Sequence, residues 1–579
     1  MMFKAPKLFI LLSSFWVLSC SGPQFKYRTV PMAPGESFED HVFEGQDYVV
    51  TAQGDYSTKA GVKMYELGGN AIDAAAAVSF CISVERPQST GIGGGGFLVF
   101  KSPEMEKPVT FDFREKAPLL ADSKMYLDKE GKEIKGKSLN GIFAGGVPGL
   151  VAGIVEIHKE YGSLPLATVM QPAIDLAEKG FKVYPELAFA LRVREETLRK
   201  FPASVKIFFD KNKHILKEGD LLVQSDLAKT LKSIAKKGRD GFYKGWVADA
   251  IVAEERRRGG LIRYNDLSRY NMIKRKPVEG KYKDYEIYSM GPPSSGGIHV
   301  IQILNILEPL NLGHYGIQDA KTIHYTASAM QQAFADRARY LGDMDFVKVP
   351  LRELTSKEYA KKIREKIPHH RALKKDEVLP GQFDGYESTE TTHFSIMDKL
   401  GNMVSSTQTI NGFMGSGLVI PGTGILLNNE MDDFATKVGA KNLFGAVGGE
   451  NNLVESEKRP LSSMSPTLVL KKGKPVMAVG TPSGTRILTC VAQTILNYIE
   501  HNEPLLNAVS AVRFHQQWYP DELRVGTLGL KKEEEDGLRD MGYKINHKNL
   551  GCRIQAIAME KGQFIGVSDP RGLGLAAGK

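Results

Sequence analysis

The chain predicts an α+β protein built in layers. Three observations carry this. An Ala-rich pair of helix patterns stands near the start, at residues 57–84. Helical patterns dominate from about residue 140 to 390, as at 168–179 and 320–341. Strand patterns then take over, at 391–397, 403–410, 424–427, 467–470 and 476–479, followed by helices near 486–500 and 504–511. Helices grouped in one part and strands in another point to layered packing. The 579 residues are 42% hydrophobic and 25% charged, as in a globular chain with a sizeable core. No internal repeat breaks the pattern.

The N-terminus reads as a targeting segment. Lys4 and Lys7 precede a mostly apolar run at 8–18, too short to span a bilayer. It ends in Val17-Leu18-Ser19-Cys20, which resembles a bacterial lipobox. The expectation is a signal peptide at 1–19, lipid on Cys20 and a polar tether at 20–47 with Pro23, Pro31 and Pro34. An exported lipoprotein follows, on the periplasmic side or outer membrane, touching membrane only through that lipid. The formal charge of +9 is scattered, with no basic run interleaved with aromatics, so nucleic-acid binding has no support. Cys81, Cys490 and Cys552 remain. Cys81 and Cys490 lie in apolar runs and read as small buried residues rather than disulfide partners. There is no Cys-x-x-Cys and no His-Glu-x-x-His, which argues against a zinc site.

The two early helices break at Gly68-Gly69. Gly91-Ile92-Gly93-Gly94-Gly95-Gly96 satisfies G-x-G-x-x-G, but a strand follows it where a dinucleotide site needs a helix. Close passage of backbone past backbone is the better account. Phe111 and Phe113 alternate with Asp112 and Arg114 in a strand pattern. Arg114 either pairs with Asp112 or Glu115 or clamps a carboxylate. Residues 364–390 form a charged, exposed segment. It ends at Glu390-Thr391-Thr392-His393, where a hairpin begins, turning at Lys399-Leu400-Gly401-Asn402. A threonine at a strand head matters because cutting before it frees an α-amine. One residue then holds a hydroxyl nucleophile and a base of suitable pKa, roughly 7.7–8.0 when unperturbed. Glu430, Asp432 and Asp433 place three acids in four positions, suiting a metal, an ammonium or a helix cap. Thr481-Pro482-Ser483-Gly484 lies between a strand and an apolar helix, where free N–H groups suit an oxyanion.

Together these segments resemble the γ-glutamyltransferase (γ-glutamyl transpeptidase) family of N-terminal nucleophile hydrolases. The resemblance spans Gln53 to Arg571 and includes Gly146-Val147-Pro148-Gly149, Pro292-Pro293-Ser294-Ser295-Gly296-Gly297, Thr391-Thr392-His393, Lys458-Arg459-Pro460-Leu461-Ser462-Ser463 and Ser568-Asp569-Pro570-Arg571. It implies a four-layer αββα sandwich and self-cleavage between Glu390 and Thr391. The large fragment, with its body at 48–390, and the small one, 391–579, would interleave in one globular unit. It also implies roles. Thr391 is the nucleophile and Thr409 its hydrogen-bond partner. Arg114, Ser462 and Ser463 hold a γ-glutamyl α-carboxylate; Asn411, Glu430 and Asp433 hold the α-ammonium. The N–H groups of Ser483 and Gly484 form the oxyanion hole. No cofactor or metal is implied. Donors are glutathione and other γ-glutamyl compounds; acceptors are water, amino acids or peptides. Two departures stand out: serine at 483, where the family has glycine, and Phe444 in the lid loop, where many bacterial members have tyrosine. The alternatives are an acylase or poly-γ-glutamate depolymerase of the same superfamily, or an inactive lipoprotein that binds γ-glutamyl peptides.

Overall fold

A computed structural model describes residues 38–379, 391–439, 442, 443 and 449–579. Cys20, Glu390 and Phe444 lie outside the described residues, as does 380–390, the end of the charged segment.

Two antiparallel seven-stranded sheets form the centre. The first runs in the order Leu575–Gly578, Tyr48–Ala52, Thr392–Asp398, Met403–Thr409, Gly95–Lys101, Val109–Asp112, Ile273–Arg275. The second runs Val42–Gly45, Gln563–Ser568, Gln555–Glu560, Lys474–Gly480, Thr467–Lys471, Tyr285–Ser289, Val278–Tyr282. Both sheets combine strands from before and after Thr391.

Strand periodicity sets the layers, because successive side chains face opposite ways. Val50, Phe394, Ile396 and Val404 pack on the helices Asp55–Glu66, Ala71–Glu85 and Leu166–Lys179. Their neighbours Val49, Met397 and Met403 face the other sheet and meet Leu468, Leu470, Ala478 and Ile557. The far face of that second sheet, with Val469, Met477, Val479 and Ala556, packs on Gly296–Leu307, Ala320–Tyr340 and Arg486–Ile499. The result is helix, sheet, sheet, helix: the four-layer αββα sandwich.

Local chemistry explains the elements. Asn70 caps Ala71–Glu85: its side chain accepts from Ile72 and Asp73 N–H groups, and Asp73 accepts from Asn70 N–H at 2.8 Å. The glycine loop passes where no side chain fits. A Cβ on Gly94 would lie 2.0 Å from the Thr409 carbonyl oxygen, and one on Gly93 2.2 Å from that of Leu426. Gly91–Gly96 therefore presses the first sheet's loop against the strand end that carries Thr409.

Four expectations need correction. Cys490 is buried but does pair: it forms a disulfide with Cys552, 62 residues on, tying the helix Arg486–Ile499 to the entry of the strand Gln555–Glu560. Residues 424–427 do not form a strand, only an isolated bridge between Val419 and Leu426, because Gly422 and Gly424 turn the chain at φ +76° and +69°. The tether ends earlier than residue 47, since Val42–Gly45 is an edge strand of the second sheet. Strands at Ile273–Arg275, Val278–Tyr282 and Tyr285–Ser289 interrupt the region that reads as helical. Ile273–Arg275 and Val278–Tyr282 are edge strands, whose Lys274, Glu279 and Lys281 are exposed.

Candidate active site

Thr391 stands one residue before a strand at the centre of the first sheet. Every residue of that strand and of its hairpin partner is buried, so these threonines do not face water. Thr392 pairs with Gln408 across the hairpin; continuing the register by one sets Thr391 opposite Thr409. The turn to the next segment is held by Thr409 itself, whose hydroxyl accepts from the Asn411 N–H at 2.8 Å. Gln53 braces the strand head: its side-chain oxygen accepts from the Thr392 hydroxyl at 2.9 Å and the His393 N–H at 3.0 Å.

One cavity gathers nine of the residues singled out from the sequence. Thr391, Thr409, Asn411, Arg114, Glu430, Asp433, Ser462, Ser463 and Gly484 all line it. Ser483 lines the neighbouring cavity instead. Arg337, Asn442, Leu461, Met464, Thr485 and Ile487 complete the wall of the first and are not singled out as site residues by the sequence.

Arg114 lies just past the strand Val109–Asp112, placed by three anchors. Its N–H donates to Asp112 at 3.0 Å, its carbonyl accepts from the Tyr270 hydroxyl at 2.8 Å, and its Nε donates to the Pro460 carbonyl at 3.3 Å. Its side chain is 1% exposed. The partners of its guanidinium are not those expected from neighbouring sequence: Nη1 meets Glu430 and Nη2 meets Asp433 at 2.5 Å, with Glu115 3.8 Å away. Asp112 is claimed instead by Arg275 at 2.9 Å and Arg459 at 3.3 Å.

Glu430 and Asp433 sit on one short turn, Glu430–Asp433, fastened to the glycine loop and to Gly146. Asn428 does the fastening: its carbonyl oxygen accepts from the N–H groups of Gly146 and Glu430, both at 2.9 Å, and its amide donates to the Gly93 carbonyl at 2.8 Å. Asp433 also accepts from Asn442 at 2.7 Å. Asp432 points elsewhere, to the Ser138 hydroxyl at 2.7 Å.

The electrostatics follow from burial. Burial works against the Arg114 charge, but Glu430, Asp433 and Glu115 more than offset it and hold the guanidinium protonated. Burial raises Glu115 to about 7 and pushes Glu430 well above the carboxylate range, with Arg114 pulling both down, so this adjacent pair retains a proton near neutrality. Arg337, 5% exposed, has its Nε on the Ser295 hydroxyl at 3.1 Å; burial lowers it to about 10 and Asp433 opposes the fall. It stays charged at neutral pH. Arg114 and Arg337 thus share the cavity wall with Glu430 and Asp433, an arrangement that offers both signs of charge to a zwitterion.

Ser483 and Gly484 adopt φ values of +121° and +52°. The serine at this left-handed position is tied by its side chain: Oγ donates to the Leu550 carbonyl at 2.7 Å and accepts from Arg486 Nε at 3.3 Å. Among the described residues, neither the Ser483 nor the Gly484 N–H donates to a protein acceptor. Both precede the helix Arg486–Ile499, whose N-terminal dipole favours negative charge there. No group of metal-ligating side chains is found among the described residues.

An αββα sandwich with a threonine at the head of a buried central strand defines an N-terminal nucleophile hydrolase. A cephalosporin acylase structure from Bacillus halodurans superposes with a TM-score of 0.83 at 26% identity, covering 95% of this chain and 99% of that one. The model of the Gamma-glutamyltranspeptidase family matches residues 57–579, and the chain belongs to that family. A glutathione hydrolase proenzyme of Escherichia coli (strain K12) is 43% identical over 557 residues, 95% of this chain and 96% of that protein. The structure of Helicobacter pylori gamma-glutamyltranspeptidase is 45% identical, with a TM-score of 0.56 over 57% of this chain and 94% of that one.

Proposed function

We propose that this chain is a proenzyme that cuts itself before Thr391 and then moves γ-glutamyl groups from glutathione and related donors to water or amino acids. The observation that carries the reading is the single cavity holding Thr391 and Thr409 together with Arg114, Glu430 and Asp433.

In the intact chain the Thr391 nitrogen is a peptide nitrogen. The Thr391 hydroxyl attacks the Glu390 carbonyl carbon, the C–N bond breaks, and an ester links the two residues. Water opens that ester, leaving a Glu390 carboxylate and a free Thr391 α-amine. In the mature enzyme this amine takes the hydroxyl proton as Oγ attacks the donor's γ-carbonyl. The N–H groups of Ser483 and Gly484 receive the developing oxyanion. The leaving amine departs with the proton, and Thr391 holds the glutamyl group as an ester. Water or an acceptor amine, deprotonated by the same α-amine, releases it. Arg114, Ser462 and Ser463 hold the α-carboxylate; Asn411, Glu430 and Asp433 hold the α-ammonium. The substrate's carboxylate therefore takes over part of the Arg114 guanidinium from the two acids, and its ammonium repays them. The protein is exported and anchored through lipid on Cys20; labelled fatty acid should enter the wild type and not Cys20→Ala.

The likeness to an acylase sets the sharpest test. Glutaryl amides lack only the α-ammonium. Leaving Glu430 and Asp433 without that partner costs about 2–5 kcal/mol, roughly 30- to several-thousand-fold in kcat/KM. Equal turnover of glutaryl- and γ-glutamyl-p-nitroanilide would overturn the reading in favour of an acylase.

A further inference from the structure

Two arginines line the Thr391 cavity, and among the described residues only Arg114 is paired with acids. The other is Arg337, the last buried position of the helix Ala320–Tyr340. Met330, Ala333 and Phe334 precede it at helical spacing on the same buried face. Helix packing therefore carries a guanidinium into a place where an apolar side chain is usual.

Asp336, next to it in the chain, does not neutralise it. That carboxylate accepts from Gln302 at 2.6 Å, from the Tyr359 hydroxyl at 2.9 Å and from Gln332 at 3.1 Å. Asp433, the acid that acts most on the Arg337 charge, has its oxygens on Arg114 at 2.5 Å and Asn442 at 2.7 Å. The Arg337 guanidinium makes one hydrogen bond to protein among the described residues, from Nε to the Ser295 hydroxyl at 3.1 Å. Its Nη1 and Nη2 donors have no protein acceptor among those residues. They are not sealed in either. Arg513 buries an Nη1 with no partner and no exposed surface, whereas both Nη atoms of Arg337 keep some surface, and the cavity is what they face. A buried charge without a counter-charge is costly. A fork of free N–H donors matches a carboxylate.

Its surroundings suit the same ligand. Ser295 passes the contact on: its hydroxyl donates to the Ser462 carbonyl at 3.0 Å, and its N–H donates to the same oxygen at 2.9 Å. Arg337 thus stands beside the Ser462–Ser463 wall of the cavity. The Ser462 hydroxyl accepts from the Met464 N–H at 3.1 Å, which leaves its own proton for a ligand. Arg114 differs, since Glu430 and Asp433 occupy its Nη atoms. A carboxylate has to compete with those acids for Arg114. For the Arg337 fork it competes with no protein group among the described residues.

We propose that Arg337 is a second guanidinium of the donor site, whose free Nη donors hold one oxygen of the γ-glutamyl α-carboxylate while Arg114, Ser462 and Ser463 hold the rest. This rests on the γ-glutamyl transfer reading. Less of the Arg114 pairing with Glu430 and Asp433 is then given up on binding, and those acids stay in place for the α-ammonium. Arg337 has no part in bond making.

The test compares γ-glutamyl-p-nitroanilide with 4-aminobutyryl-p-nitroanilide, which keeps the ammonium and lacks only the α-carboxylate. The readout is the ratio of kcat/KM for the first donor to the second. The Ki of 4-aminobutyrate over that of L-glutamate, both as competitive inhibitors, gives a matching ratio without turnover. Losing a hydrogen bond to a charged group predicts that Arg337→Ala lowers both ratios about 10- to 100-fold, mainly through KM. Arg337→Lys keeps a point charge without the fork and should recover part of the loss. Self-cleavage on a gel and circular dichroism check that the variants fold. If Arg337→Ala does not fold, Arg337→Lys carries the test with a smaller fall in the same ratios. Ser295→Ala separates contact from bracing: it cuts the link from Arg337 to Ser462 and should lower the ratios less than Arg337→Ala does. Unchanged ratios in the Arg337 variants, or a fall in Ser295→Ala as large as in Arg337→Ala, overturn the assignment. If the wild type does not turn over γ-glutamyl-p-nitroanilide, the transfer reading itself has failed.

Discussion

Ser483 puts a side chain where the backbone wants glycine, and its effect can be worked from the geometry. A non-glycine residue at φ +121° carries about 1–3 kcal/mol of strain. Against this stand the hydroxyl's bonds to two partners: to the Leu550 carbonyl at 2.7 Å, about 1 kcal/mol, and from Arg486 Nε and Nη2, both at 3.3 Å, together about 1.5 kcal/mol at most for such long contacts with a charged donor. Ser483→Gly relieves the strain but loses both bonds, and it adds about 0.5–1 kcal/mol of unfolded-state entropy. The terms nearly cancel, so this variant should unfold within about 2 kcal/mol of wild type. Ser483→Ala keeps the strain and loses the bonds, so it should be less stable than wild type by about 1–2.5 kcal/mol. Arg486 retains the Leu550 carbonyl at 2.7 Å in both, which limits the damage. Urea unfolding of the two variants ranks them directly. Activity gives an independent reading: both variants keep the residue 483 N–H, so kcat on γ-glutamyl-p-nitroanilide should fall less than about tenfold. A loss of 10²–10³ in both would make the hydroxyl, and not the N–H, the oxyanion donor. If Ser483→Ala proves as stable as Ser483→Gly, the balance of strain against hydroxyl bonds is wrong.

Two further outcomes follow from buried groups. Burial raises Glu255 to about 8, and its Oε1 has no partner among the described residues. The folded protein therefore binds this proton more tightly than the unfolded chain does. That contribution to stability is complete below the ordinary carboxylate range and is lost as pH rises through about 8. The melting temperature of Glu255→Gln should exceed that of wild type by more at pH ~9 than at pH ~5; a pH-independent difference contradicts the assignment. The Cys490–Cys552 disulfide closes a loop of 62 residues. In the chain-entropy account such a loop is worth about 4 kcal/mol, so Cys552→Ser should lower the urea midpoint clearly, and reductant should do the same to wild type.

The sequence carried the site further than it carried the fold's edges. Thr391, Arg114 and the Glu430–Asp433 turn were visible only through the resemblance of their segments taken together, since each short run by itself has other uses. The glycine loop was legible on its own residues: five glycines in six positions, 91–96, imply contact that no Cβ tolerates, and the structure has that contact with the carbonyls of Thr409 and Leu426. Arg337 was hidden. It follows Asp336 on a long helix, a pairing that reads as a solvated face, yet it is buried and lines the cavity. Its role arises from helix packing over more than 50 residues of sequence separation, which local pattern does not encode. Glu115 was read only as a neighbour for Arg114, because nothing local shows that both of its oxygens are buried without hydrogen-bond partners among the described residues. The disulfide failed for the converse reason. Cys490 has the apolar surroundings expected of an unpaired buried cysteine, and only the tertiary approach of residue 552, with Cα atoms 6.7 Å apart, reveals the bond.

The central claim is that Thr391 first cuts its own chain and then carries the glutamyl group. Purified wild type and Thr391→Ala, run side by side on a denaturing gel with N-terminal sequencing of the smaller band, test it most directly. Wild type should give two fragments, the smaller beginning Thr391-Thr392-His393, and should release p-nitroaniline from γ-glutamyl-p-nitroanilide. Thr391→Ala should remain one chain and release none. A Thr391→Ala protein that still yields a fragment starting at residue 391, or still turns over the donor, would contradict the account.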